Sequence, residues 1–566
     1  MGVRRAVDIV LGIAQNKGPE HIYTYGPLIH NPQTVALLKK RNILPVENID
    51  DIEEGVVVVR AHGISPRDRE KIREKGLTIV DATCPKVARV QAIIKKHVSL
   101  GYDVIIAGDR EHPEVMGLLG YASGRGIVVS EVDEVDDLPL LERVCVVAQT
   151  TQNAGKYMEI VKSVQQKYPE SVIFNTVCDS TDRRQTEIKK LAAEVDAMII
   201  VGGKNSANTQ RLVAISRESD VPSYHVETAN DLRSIDLEGV KKVGVSAGAS
   251  TPNWITDDVL NYLTLYRRGD SKKALGRFYQ LWVFSVQTDI YSAIGAGCLA
   301  LVSMLLQELR ISLVNILIAA FFVFGMHTLN RLRNRQFGRI AGSFRDETYM
   351  RHRGVYLTVA LVSLFLALVL SSTIGFASLF CLLIISFFGA LYDLKILPFS
   401  WKVTRLRDIP GSKNIFMAVA WAVVAAMIPA ITVDLRATSG MVISFLLVFS
   451  IVFVKSTLSD MVDVQSDRLV GRETIPVIIG ERITRMLIKG ISVVMGAGLV
   501  AVVIAAYTPL LTLGLLLPVF YVWICLELCD KKAQFSSVVM EGLFGTNYIL
   551  AGVSVYVWFV IDRFVS

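Results

Sequence analysis

The sequence predicts an α/β domain of three parallel-sheet modules, pseudo-threefold, followed by an all-α polytopic membrane domain of about nine transmembrane helices. Three observations carry this. From Met1 to about Leu263, short apolar runs alternate with amphipathic stretches, the pattern of a parallel-sheet α/β architecture. From about Leu281 onward, apolar runs near the roughly 20 residues that cross a bilayer dominate. Cys84 and Cys178 each follow a strand-like run and divide the first part into three units of similar length. The expected boundaries are 1–266, a linker over 267–280, and 281–566.

The totals agree with this division. A chain of 566 residues exceeds one ordinary domain. Its mean hydropathy, +0.42, is too high for a soluble protein of that size. Between the two parts, Arg267-Arg-Gly-Asp-Ser-Lys-Lys273 is polar and basic, as a link just outside a membrane would be. The formal net charge of +7 fits cytoplasmic loops facing anionic lipid, and no nucleic-acid partner is expected. Seven cysteines without a signal peptide argue against a secreted disulfide framework.

In the first part, strands are read at Val56–Val59, Gly76–Val80, Asp103–Ala107, Ile127–Val129, Arg143–Val147, Ser171–Phe174, Ala197–Val201 and Val243–Val245. Before them, Gly2-Val-Arg-Arg-Ala-Val reads as a helix already under way. The strand ends carry polar clusters: His30-Asn31, Arg60-Ala-His62-Gly, His112-Pro-Glu114, Gln149-Thr150-Thr151, Gly202-Gly-Lys-Asn-Ser206-Ala-Asn208 and Ser246-Ala-Gly-Ala-Ser250. Imidazoles, hydroxyls and glycine-flanked backbone N–H groups at sheet ends suit a small, highly anionic ligand. Any one cluster alone is equally well a turn or a helix cap; six together are not. Cys84 and Cys178, at strand-to-helix turns, are placed where α/β sheets present ligand-facing residues.

These motifs resemble the 4-hydroxy-3-methylbut-2-enyl diphosphate reductase (LytB-type) family over about Met1 to Leu263. The resemblance rests on HN at His30, AHG at His62, DATCP at Cys84, HPE at His112, QTT at Thr150, Arg184-Gln185 after Cys178, GGKNSAN at Ser206 and SAGAS at Ser250. It implies three modules around a 4Fe-4S cluster, with Cys84 and Cys178 as metal ligands. It further implies diphosphate binding by His30, His62, His112, Ser206, Asn208 and Ser250, and proton delivery by Glu114 assisted by Thr150. The substrate would be an allylic diphosphate, and the electron donor reduced ferredoxin or flavodoxin. Ala207 stands where some relatives have a second Ser. The family's first cluster Cys lies in a Cys-x-Gly-Val pattern, which places it immediately before Met1. The favoured expectation is a start upstream of Met1 that supplies this Cys and its strand. The alternative is a chain lacking one ligand, with an unstable cluster. Cys145, within a strand, is expected to be a buried core thiol.

In the second part nine apolar segments are read, near 285–306, 311–328, 355–374, 376–392, 414–433, 440–457, 487–506, 508–526 and 545–562. Lys and Arg concentrate after the second, fourth, sixth and eighth. By the positive-inside rule those loops, and the N-terminal domain, are cytoplasmic, on an inner (cytoplasmic) membrane. In Asp460-Met-Val-Asp463-Val-Gln-Ser-Asp467, the spacing i, i+3, i+7 puts three carboxylates on one helical face, and Mg²⁺ is the natural neutraliser.

With the downstream Gly471-Arg-Glu-Thr474-Ile-Pro476 and the upstream Arg407-Asp-Ile-Pro-Gly-Ser-Lys413-Asn414, this half resembles the UbiA superfamily of intramembrane prenyltransferases over about Leu281 to Phe564. The resemblance implies nine transmembrane helices, two Asp-rich motifs facing one cavity, and prenyl transfer from a polyprenyl diphosphate. Asp460, Asp463 and Asp467 match the second motif as Mg²⁺ ligands. Where the first should stand, the chain has Asn330-Arg331-Leu-Arg333-Asn334-Arg-Gln-Phe-Gly338: the Asn remains and Asp is replaced. Arg331 and Arg333 are expected to offset a lost cation at the diphosphate. Asn330, Tyr392, Arg407 and Lys413 are further diphosphate candidates. The chain is thus expected to be an iron–sulfur oxidoreductase making isopentenyl and dimethylallyl diphosphate, fused to a membrane prenyltransferase-like domain. The alternatives are a prenyltransferase with an inactive reductase half, or a reductase with a non-catalytic membrane anchor.

Overall fold

The structure is a computed structural model that describes residues 2–16, 21–29, 31–249, 251–266, 274–333, 352–392, 406, 409, 411–433, 438–470, 472–530 and 535–565. The sequence-predicted site residues His30, Ser250 and Arg407, together with Asn334, Gly338 and the link 267–273, lie outside the described residues. The chain forms two compact units, Met1–Val259 and Leu260–Ser566.

The first unit holds β1 (Ile22–Tyr25), β2 (Ile43–Val46), β3 (Val56–Val59), β4 (Thr78–Asp81), β5 (Asp103–Ala107), β6 (Gly126–Val129), β7 (Val144–Ala148), β8 (Val172–Ile173), β9 (Ala197–Val201), β10 (Ser223–Val226) and β11 (Val243–Ala247). They make three sheets, ordered β2-β1-β3-β4, β6-β5-β7-β8 and β10-β9-β11. Every pairing is parallel. The first two orders are identical after a shift of four strands, and the third repeats their first three places. This is the expected three-module architecture, written in the topology. The central strands Val56–Val59, Val144–Ala148 and Ala197–Val201 are buried throughout, as strands covered on both faces must be.

The connecting helices are α1 (Gly2–Asn16), α2 (Pro32–Lys39), α3 (Pro66–Glu74), α4 (Pro85–Ser99), α5 (Pro113–Tyr121), α6 (Ala154–Lys167), α7 (Asp179–Ala192), α8 (Ala207–Arg217) and α9 (Asn253–Tyr266). Pro opens α2, α3, α4 and α5, where its missing N–H is harmless and its fixed φ is already helical. Cys145 is fully buried in β7, and burial pushes its thiol up to about 12, so it is the core cysteine expected. The strands β1, β2 and β10 escaped the sequence reading. β2 carries Pro45, which a sheet tolerates at an edge, and β2 is an edge strand.

The second unit is helical. It begins with α10 (Ala274–Gln287), α11 (Ile290–Leu306) and α12 (Leu313–Arg333). Among the described residues seven helices are long and apolar enough to span a membrane, and α10 and α11 pass the same test only when the bent pair is taken as one span. The expected fourth segment is the helix Phe376–Leu391, whose 16 residues give roughly 24 Å at 1.5 Å per residue, short for a span. Ser412–Ile431 contains a π-helical stretch at Val423–Met427. The bundle core gathers Leu299, Phe322, Trp421, Val448 and Tyr548.

Candidate functional site

In the first unit the site starts from helix termini. His112 caps α5, and its Nδ1 accepts from the Glu114 backbone N–H at 3.1 Å. An accepting Nδ1 leaves the neutral ring's proton on Nε2, which makes that nitrogen the donor. Glu114, in the first turn of the helix, is buried. Its Oε1 accepts from the Thr150 backbone N–H at 2.7 Å, and its Oε2 from the Thr150 hydroxyl at 2.9 Å. Burial pushes the Glu114 carboxyl up to about 7, against the pull of those two Thr150 hydrogen bonds. A carboxyl poised near neutrality can both hold and release a proton.

The loop after β7 holds Thr150 in place. Gln149 accepts the Asp109 N–H through Oε1 at 2.9 Å and donates from Nε2 to the Thr151 hydroxyl at 2.9 Å. Thr176 clamps Ala148 from both sides, its Oγ1 accepting from the N–H and donating to the carbonyl, each at 2.7 Å. Gln149 enters the sequence reading only as part of the QTT motif, and Thr176 is not singled out there; the positioning role of neither is read. Their roles depend on contacts 40 and 28 residues distant, which no local pattern reveals.

The first module meets the second here. The His62 and His112 rings stand edge to face, 5.3 Å between centroids. The approach needs Gly120: a Cβ there would fall 2.7 Å from the Ser65 Cβ. The third module reaches the same loop, with Arg211 of α8 3.8 Å from Asp109. Ser206 caps α8, accepting from the Thr209 N–H at 3.4 Å. Asn208 is buried in the first turn of that helix.

Cys84 caps α4 after edge strand β4, and Cys178 caps α7 after edge strand β8. Neither uses its side chain as a helix cap, neither is in a disulfide, and both are partly exposed. The backbone N–H of Cys84 donates to the Ala61 carbonyl, beside His62, and that of Cys178 to the Thr150 carbonyl, each at 2.9 Å. Both cysteines are therefore stitched to the loops that carry His62 and Thr150.

Buried donors without partners among the described residues include Asn31 Nδ2, Thr83 Oγ1, Gln185 Nε2, Asn208 Nδ2 and Thr209 Oγ1. All but Gln185, which lies within α7, are close in sequence to a strand end or helix start already described. An unsatisfied buried donor costs about 1–3 kcal/mol, so each of these atoms has hydrogen-bonding capacity to offer a bound group. Thiolate sulfur is the donor that iron–sulfur clusters select, so the two cysteines fit such a group by chemistry. Among the described residues no three His, Cys, Asp or Glu gather as one metal site.

In the second unit, Asp460, Asp463 and Asp467 lie on the helix Ser439–Val470. Asp460 and Asp467 are buried, whereas Asp463 is exposed on the flank. An i+3 step is 60° short of a full turn, so the three share a side but not one burial. Lys413 Nζ is 2.8 Å from Asp460 Oδ1, and Arg472 3.9 Å from Asp467. Asp460 Oδ2 is buried without a partner among the described residues. Asn414 donates to the Thr457 hydroxyl at 3.1 Å, and the Tyr392 hydroxyl lies 3.1 Å from that of Ser412. These contacts bring Lys413 to the Asp-rich helix.

The arginines expected to serve a diphosphate are placed otherwise. Arg331 gives two hydrogen bonds to the buried carboxylate of Asp289, 2.8 and 3.2 Å. Arg333 donates to the Ala390 carbonyl at 3.3 Å, and Asn330 is exposed at the end of α12.

Over residues 1–264 the chain matches the LytB protein family. The 4-hydroxy-3-methylbut-2-enyl diphosphate reductase of Aquifex aeolicus (strain VF5) is 45% identical over 262 residues, covering 46% of this chain and 90% of that protein. The chain belongs to the LytB family. The reductase of the same name from Citrifermentans bemidjiense is 43% identical over 264 residues, 46% of this chain and 93% of that protein. After its LytB part, the chain matches the UbiA prenyltransferase family over residues 290–545, so it is a fusion of the two. A UbiA homolog from Archaeoglobus fulgidus, solved bound to DMAPP and Mg²⁺, aligns over 49% of this chain and 98% of its own, at 14% identity and a TM-score of 0.37.

Proposed function

We propose that the LytB part reduces 4-hydroxy-3-methylbut-2-enyl diphosphate, releasing water and forming isopentenyl and dimethylallyl diphosphate. The observation that carries this is the buried Glu114 carboxyl, raised to about 7 and held by both donors of Thr150. His62 and His112, with Ser206 and Asn208 at the α8 N-terminus, bind the diphosphate. Helix N-termini and imidazole N–H groups favour phosphate oxygens. Cys84 and Cys178 would hold a 4Fe-4S cluster, which when bound would supply electrons and Lewis acidity. Protonated Glu114 donates to the departing hydroxyl, which leaves as water. The Thr150 donors then stabilise the carboxylate until it is reprotonated. Two electrons and two protons enter for each water released, the electrons from reduced ferredoxin or flavodoxin.

The membrane half binds a prenyl diphosphate. Hard carboxylate oxygens suit Mg²⁺, which needs only one or two carboxylates beside phosphate oxygens. Asp460, with Oδ2 unused, and Asp463 and Asp467 would be the ligands, and Lys413 the cationic contact. The N-terminal part lies in the cytoplasm, as the Lys/Arg distribution of the loops indicates.

The test is turnover of 4-hydroxy-3-methylbut-2-enyl diphosphate by full-length, anaerobically purified protein given dithionite and a viologen. Activity that Glu114→Ala abolishes while substrate still binds is the expected outcome. Full activity in Glu114→Ala would sink the assignment of the acid.

A further inference from the structure

The first two helices of the membrane half are one broken element. Arg277–Gln287 and Ile290–Leu306 meet at 83°. The corner is built rather than frayed. Asp289 occupies it in the left-handed conformation, φ 62°, a region that Asp tolerates better than most residues. Its carbonyl accepts the Ala293 N–H at 3.1 Å, starting α11, and its buried carboxylate is clamped by the Arg331 guanidinium. Thr288 closes the end of α10, its hydroxyl donating to the Phe284 carbonyl at 2.8 Å.

α10 presents three distinct sides. Val283 and Val286 pack against Val538, and Gly542 makes room for the Trp282 ring, since a Cβ there would fall 2.4 Å from it. That side faces the last described helix, Ser537–Val565. On the opposite side Phe278, Leu281 and Phe284, three residues apart, are 72%, 67% and 45% exposed. Gln280 and Gln287, seven apart, share a flank between them.

The 17 residues of the apolar helix α11 give roughly 26 Å, close to the hydrocarbon thickness. A helix at 83° to one that enters the bilayer near its normal runs close to the membrane plane, because such helices tilt only about 20° on average. Five basic residues precede or open α10: Arg267, Arg268, Lys272, Lys273 and Arg277. An aromatic-rich face beside a basic segment matches the chemistry of an anionic lipid interface. We propose that α10 is an in-plane anchor, with Phe278, Leu281 and Phe284 inserted at the headgroup–acyl boundary of an anionic leaflet. The Asp289–Arg331 clamp holds its angle. The occupant of this face is lipid, continuous with the bilayer around α11.

The test is photo-crosslinking of the full chain in phosphatidylglycerol-containing membranes, with p-benzoylphenylalanine at position 278, 281 or 284, and at 283 as an inward control. Lipid adducts at 281 with an intramolecular crosslink at 283 are expected. An adduct between two copies at 281, or a probe there that stays unreacted and is quenched by aqueous iodide, overturns the proposal. Arg331→Met should cut the lipid-adduct yield at 281. An unchanged yield in that variant removes the clamp from the account, and a lost signal at 283 marks a misfolded bundle.

Discussion

The backbone N–H of Cys178 donates to the carbonyl of Thr150 at 2.9 Å, and the same Thr150 gives its N–H and its hydroxyl to Glu114. One residue thus joins the backbone of the cysteine at the α7 N-terminus to a buried acid. A shift in the Thr150 loop moves both, so the electron-delivering and proton-delivering sides of the proposed site share one positioning residue. From this follows that Thr150→Val keeps the backbone links but loses the hydroxyl bond. That bond favours the carboxylate, so its loss raises the Glu114 pKa further above 7. The alkaline limb of the rate profile should move to higher pH in Thr150→Val. An unmoved limb would show that another group sets it.

Glu114 also makes a stability prediction. Its carboxyl rises from 4.5 unfolded to about 7 folded, so the folded state binds the extra proton between those values. Stability from this group is full below about 4.5, falls as pH rises to about 7, and is flat above. At about 1.4 kcal/mol per pK unit the whole change is about 3 kcal/mol. Asp50, Asp81, Glu134 and Asp196 are held low and act in the opposite direction. The readout is therefore the difference between wild type and Glu114→Gln in denaturant unfolding across this window. It should favour the variant increasingly toward pH 7.

Gly120 predicts a packing effect. Gly120→Val places side-chain atoms against Ser65 and Pro66, forcing α5 away from the loop that carries His62. Overpacking of this kind costs about 1–3 kcal/mol. Because His62 and His112 separate, KM should rise more than kcat falls. Steady-state kinetics beside a melting curve checks both.

Much of this was legible in the sequence, and the gaps have physical causes. The central strands β3, β7 and β9 are continuous apolar runs, so they announce themselves. The edge strand β2, with its proline, and the short β1 and β10 do not. Glu114, Thr150, His62 and His112 sit at helix starts and strand ends, where spacing and capping chemistry are local and readable. Gln149 and Thr176 act across the fold, and so their roles escape. In the membrane half the Asp spacing located the acidic face, but helical periodicity alone could not tell that Asp463 stays exposed while its neighbours are buried. Nor could it tell that Arg331 would be taken by Asp289, 42 residues earlier.

The Lys413–Asp460 pair makes the last prediction. Asp460 is fully buried and has one oxygen on Lys413 and one without a partner among the described residues, whereas Lys413 itself is half exposed. Removing the lysine leaves a buried carboxylate uncompensated, a loss of about 3–5 kcal/mol for fully buried pairs and less here because Lys413 reaches solvent. Lys413→Ala should therefore destabilise the membrane half by about 2 kcal/mol or more. Removing both charges in Lys413→Ala/Asp460→Asn should restore much of it, since no buried charge remains. Mg²⁺ should also discriminate the variants. If the cation binds Asp460, Mg²⁺ raises the melting temperature of Lys413→Ala in detergent more than that of wild type, because it replaces the missing positive charge. It should leave the double variant unmoved. Equal Mg²⁺ shifts in all three would place the cation elsewhere and leave Lys413–Asp460 as a purely structural pair.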